Sequence, residues 1–122
     1  MFEVKSDAVK NRLYIKISGF ITDQELKEAT DKIISNLNGL KPGFDVINDI
    51  SGIKAGGMPK NTDSLIHAQG LIKKAGVNRI IRVVASVMTK LQFSESGMKA
   101  GYAKDAETAP SLEEAEKMLD KK

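Results

Sequence analysis

The residues best suited to chemistry gather in and just after the stretch FDVINDISGI, residues 44–53, where Asp45, Asn48, Asp49 and Ser51 precede a loop that reads KAGGMPKN. Lys54, Gly56, Gly57 and Lys60 then stand ahead of a helix start. Such an arrangement can aim backbone N–H groups and positive charge at a phosphate or carboxylate. The end of a buried strand is also where open α/β sheets put their binding loops. Asp49, Ser51, Lys54, Gly56, Gly57, Lys60, Thr62 and Ser64 are therefore the candidate ligand- or partner-binding set. The GxxxxGK[ST] spacing of a P-loop is absent, and glycines also serve ordinary loops, so the pattern leaves both readings open.

Other reactive residues do not assemble. Asp45 and Asp49 share strand parity, but about 13 Å of strand separates their Cα atoms, too far for paired acid–base work. Asp49 is expected to bond backbone amides of the following loop. His67 is the only histidine, which precludes a multi-histidine metal site, and it is expected to face solvent. The chain has no cysteine, so disulfides, thiolate metal sites and cysteine nucleophiles are excluded. Met88 and Met98 are expected to be adaptable core rather than ligands. With no catalytic constellation and no cofactor motif, neither enzymatic activity nor a cofactor is expected.

A chain of 122 residues, 41% hydrophobic, suits one domain spanning residues 1–122 with a continuous core. The opening MFEVKSDAVKNR is charged throughout, and no run nears the roughly 20 apolar residues a membrane span needs. Membrane insertion is not expected, and the absence of cysteine makes a cytoplasmic location the simplest expectation. The net charge of +3 is unevenly spread: residues 51–104 hold nine Lys or Arg against two Asp or Glu. That excess suits small anionic ligands. Aromatic residues are only 5% and are not interleaved with basic runs, so nucleic-acid binding is not expected.

The elements that must position these residues follow from periodicity. Phe2 and Val4, then Leu13, Ile15 and Ile17, alternate with polar neighbours, which predicts two strands joined by the short link SDAVKN as an antiparallel edge hairpin. Thr22 and Glu25 have capping-box spacing and open a helix with Leu26, Ala29, Ile33, Ile34 and Leu37 on its apolar face. Residues 44–50 read as a buried strand. A second helix, capped by Asn61, Thr62 or Asp63, carries Leu65, Ala68, Ile72 and Ala75 and stops at Gly76. RIIRVVA, residues 79–85, reads as a strand. A weaker helical pattern links Met88, Leu91, Met98 and Tyr102. Residues 105–109 suggest a fifth strand, and Ser111 with Glu114 opens a last helix with Leu112, Ala115, Met118 and Leu119 inward. The order ββαβαβαβα implies an α/β domain with a mixed, mainly parallel sheet covered by helices.

Ile17-Ser18-Gly19-Phe20-Ile21-Thr22, the strand Val46-Ile47-Asn48-Asp49-Ile50-Ser51-Gly52-Ile53, and Thr108-Ala109-Pro110-Ser111-Leu112-Glu113-Glu114-Ala115 together resemble STAS domains, the sulfate-transporter and anti-sigma-factor-antagonist family, and above all its SpoIIAA-like members. The resemblance extends over nearly the whole chain. It implies a non-catalytic regulatory or protein-interaction module that uses the loop and helix start at residues 51–66 and meets a signalling protein. The alternative is a carrier or sensor of a small anionic or amphipathic ligand. Family antagonists carry a phosphorylatable Ser in an Asp-Ser-Ser-Gly turn, which this chain lacks. Ser64 and Thr62 occupy only a comparable region, where a helix N-terminus tolerates a phosphate. Val87, Phe93 and Met98 are left over as a helix-mediated contact, so a monomer or weak homodimer is expected.

Overall fold

The computed structural model describes residues 1–53, 63–84 and 106–120. β1 (Phe2–Asp7) and β2 (Arg12–Gly19) form the expected antiparallel hairpin. Asp7 makes its turn, with Oδ1 accepting from the backbone N–H groups of Val9 and Lys10, and Asn11 closes it in the left-handed region at φ 57°. Ser6 and Asp7 belong to β1 and Arg12 to β2, so the link is shorter than SDAVKN.

α1 (Asp23–Leu37) starts at the expected capping box: Thr22 Oγ1 accepts from Glu25 N at 3.1 Å, and Glu25 Oε1 accepts from Thr22 N at 3.4 Å. β3 (Asp45–Ile53), α2 (Asp63–Lys74), β4 (Ile80–Val83), β5 (Ala106–Ala109) and α3 (Leu112–Asp120) follow. Strand order along the sheet is β1-β2-β3-β4-β5, and every pair after the hairpin is parallel. The helix expected over Met88 to Tyr102 falls outside the described residues, as do Val87 and Phe93.

Strand parity sorts the side chains into two layers. Leu13, Ile15, Ile17, Val46, Ile50 and Ile80 are buried with Leu26 and Ile33 of α1 and Ala68 and Ile72 of α2. On the opposite face Ile47, Ile81 and Val83 are buried with Ala115 and Leu119 of α3, with Tyr14 and Met118 packed beside them. Each fully buried aliphatic side chain contributes on the order of 1.5–3 kcal/mol, so the first layer dominates cohesion among the described residues.

Two positions depart from the periodic reading. Ile34 is 36% exposed, and Thr30 is buried in its place, because residues 26, 29, 30 and 33 form the stripe that meets the sheet while residue 34 falls on its rim. Leu112 is 44% exposed rather than inward, because the first residue of α3 stands at the mouth of a groove rather than over the sheet.

Candidate functional site

β3 runs beside β2 in regular register until Lys16 pairs with Asp49; the next pair is Ser18 with Gly52. Three residues of β3 thus match two of β2, a bulge at the C-terminal end of the strand. Asp49 holds it: Oδ1 accepts from Ser51 N at 3.1 Å and from Ser51 Oγ at 2.6 Å. The expected bond from Asp49 to a backbone amide forms, but inside the bulge rather than in the loop beyond, because β3 continues to Ile53. Gly52 is required there, since a Cβ would sit 2.9 Å from Ser18 Cβ.

Asp45 serves a separate purpose, accepting from Arg79 N at 3.1 Å and Asn78 Nδ2 at 3.3 Å at the far end of the strand. The two aspartates therefore fasten different pieces of backbone.

Ser64 lies half-buried in the first turn of α2. Its carbonyl stands 3.2 Å from Thr30 Oγ1, whose one proton is shared between it and the nearer Leu26 O at 2.9 Å, so the start of α2 is tied to the middle of α1. Asp49 and Ser51 are thus brought into contact with each other, while Ser64 belongs to the helical layer on the other face of the sheet. Lys54, Gly56, Gly57, Lys60 and Thr62 lie outside the described residues. His67 is exposed on α2, as expected. Among the described residues no three His, Cys, Asp or Glu side chains gather as a metal site.

A groove of about 580 Å³ opens over the α3 face of β1, β2 and β3, with Lys5, Tyr14, Lys16, Ile47, Asp49 and Glu116 among its lining residues. The Lys5 ammonium stands 5.6 Å from the centre of the Tyr14 ring, within cation–π range. Glu116 turns toward Arg12, a buried guanidinium whose Nη1 donates to Glu116 at 2.7 Å and whose Nη2 donates to Asp120 at 2.7 Å. Burial, and then a hydrogen bond with Glu116, pushes the Tyr14 phenol up to about 12, against the opposing pull of Arg12. The Arg12 hydrogen bond holds the Asp120 carboxyl below its ordinary value.

Arg79 forms a second anchor. Its Nε and Nη2 donate to the two oxygens of Glu107 at 2.9 Å each, and Nη1 donates to Met118 O at 2.8 Å, near the C-terminal end of α3. The same pairing keeps the Glu107 carboxyl below its ordinary value. Neither arginine was singled out by sequence reasoning. The available signal was the (i, i+4) pair Glu116 and Asp120 on one helix face, with Arg12 sharing the parity of Tyr14 and Lys16.

No protein-family model and no curated protein sequence matches the chain. Solved structures do. An uncharacterized protein of the DUF3478 family from Shewanella loihica, described as having a SpoIIAA-like fold, aligns over 98% of this chain and 92% of its own, with a TM-score of 0.67 and 14% identity. This chain has a SpoIIAA-like fold. The anti-sigma factor antagonist SpoIIAA in its unphosphorylated form aligns over 98% of this chain and 96% of its own, with a TM-score of 0.64 and 14% identity. At that identity the shared property is the fold, which agrees with the STAS resemblance in the sequence. In this SpoIIAA-like domain, no helix among the described residues is long and apolar enough to cross a membrane.

Proposed function

We propose that this SpoIIAA-like domain is a non-catalytic regulatory module that binds a signalling protein through residues 51–66. The observation that carries the reading is the pair of anchors on either side of the loop: the Asp49–Ser51 bulge fixes the end of β3, and Thr30 fixes the first turn of α2. A segment held at both ends on rigid elements is suited to recognition. The likeness to an anti-sigma factor antagonist supports a protein as the partner. Lys54 and Lys60 supply positive charge and Ser64 or Thr62 a hydroxyl for phosphorylation, which would place a dianion at the start of α2.

Cross-linking and affinity purification from the source cell test the reading. The expected result is one defined signalling partner recovered by the wild-type chain and lost with Lys60→Glu and with Ser64→Glu. Retention of that partner by both variants would place the interface elsewhere, and recovery of none would refute the module reading.

Of the second reading, a carrier of a small anionic or amphipathic ligand, the groove favours the amphipathic form. Its volume lies within the range of small-molecule sites, and Ile47 and Tyr14 stand among charges of both signs, Lys5 and Lys16 against Glu3, Asp7, Asp49 and Glu116, which suits an amphipathic ligand. Native mass spectrometry of the purified chain distinguishes this reading by a mass increment that disappears with Lys16→Glu.

A further inference from the structure

We propose that the groove over the α3 face of β1, β2 and β3 binds an apolar α-amino acid, held as a zwitterion; the assignment rests on the carrier reading of that groove and names its ligand class. Strand register arranges the floor in two rows. Glu3 pairs with Lys16 and Lys16 with Asp49, which sets an ammonium between two carboxylates. Lys5 pairs with Tyr14 and Tyr14 with Ile47, which sets an aromatic ring beside an aliphatic side chain in the next row on the same face. Neighbouring strands lie about 4.8 Å apart, and residues two apart along a strand about 6.7 Å. All six side chains line the groove, and Leu112 at the start of α3 stands exposed at its mouth.

The charges of the first row are not spent on one another. Glu3 and Lys16 are exposed, and neither side chain takes part in an ion pair or hydrogen bond among the described residues. Asp49 commits Oδ1 to Ser51, which leaves Oδ2 to serve a ligand. The other charges are matched: the Lys5 ammonium lies over the Tyr14 ring, and Glu116 pairs with Arg12. What remains is one ammonium flanked by two carboxylates. A simple anion drawn to Lys16 meets a carboxylate on each side, and a simple cation drawn to Glu3 or Asp49 meets Lys16, so like charge opposes both. A molecule with both charges one carbon apart satisfies adjacent strands together: its carboxylate accepts from Lys16 Nζ, and its ammonium donates to Glu3 or Asp49. An aliphatic or aromatic side chain on that carbon reaches the row of Tyr14 and Ile47, with Leu112 beside it.

Amide NMR titration of the intact chain tests the assignment with leucine and phenylalanine, and with two probes of leucine's shape: isoamylamine, which lacks the carboxylate, and isocaproate, which lacks the ammonium. Both amino acids should shift the Lys16, Asp49 and Tyr14 amides, and each single-charge probe should bind about tenfold more weakly than leucine, or less tightly still. Lys16→Gln should weaken leucine and strengthen isoamylamine, whereas Glu3→Gln should weaken leucine and strengthen isocaproate. A merely structural role for either residue predicts no such exchange of preference. Isoamylamine or isocaproate binding as tightly as leucine would overturn the zwitterion and leave the carrier reading in place. No shift with leucine or phenylalanine would also overturn it, and the carrier reading falls with it only if native mass spectrometry of the purified chain shows no mass increment.

Discussion

The two faces of the sheet hold their helices by different physics. On the α1 and α2 face, aliphatic side chains from three strands and two helices form a continuous layer. Its polar members are buried within it, as Thr30, Asn48 and Gln69 show. On the α3 face the buried apolar layer among the described residues is smaller, and two arginines at its margins bind α3 through carboxylates and a helix carbonyl. Hydrophobic attachment is insensitive to pH and weakly strengthened by many salts, whereas partly exposed ion pairs are screened by salt and lost when carboxylates protonate. α3 is thus the element whose attachment solution conditions can tune.

The largest expected effect comes from damaging the apolar face. Phe44 is 1% exposed in the layer shared with α1 and α2, and Phe44→Ala should destabilise the fold by about 3–5 kcal/mol, read as a lowered urea midpoint with α1 and α2 affected alike. A change below about 1 kcal/mol would mean that this layer is not the main source of cohesion.

Arg12→Met should cost less, about 1–2 kcal/mol, because Glu116 and Asp120 retain access to water after their partner is removed. Amide hydrogen exchange should rise in α3 and remain near wild type in α1 and α2. Equal acceleration in all three helices would erase the distinction between the faces.

The smallest effect is the pH response. Asp120 and Glu107 have folded-state values held below their unfolded ones, by Arg12 and Arg79 respectively. Their contribution is fully present above the unfolded carboxylate values, near pH 4, and is lost as pH falls through the folded values. Tyr14 acts in the opposite direction: with its phenol raised to about 12, stability falls as pH rises from about 10 toward that value. Exchange protection of α3 across an acid and an alkaline series checks both arms. Loosening of α1 before α3 at either end would contradict the assignment.

Much of the fold was legible because its signals are local. The alternation in Leu13, Ile15 and Ile17, the Thr22–Glu25 capping box and the β-branched run at Ile80–Val83 each lie within a few residues of chain, and each forms as its pattern implies. The bulge was not legible in the same way. FDVINDISGI reads as a strand ending near Asp49, and only the slipped pairing with β2 shows that Asp49 and Ser51 close a kink while Gly52 admits Ser18.

The amino-acid sequence by itself determined the order of the described elements, the antiparallel edge hairpin, the lone exposed His67 and the absence of cysteine chemistry, because propensity, capping and composition act over short separations. Tertiary structure alone decided which polar groups are buried and what they hold. Arg12 meets Glu116 and Asp120 from more than a hundred residues away in the chain, Thr30 reaches Ser64, and Gln69 turns into the core. A buried polar side chain is tolerated only when distant groups or water satisfy it, and no local pattern specifies where those partners will be.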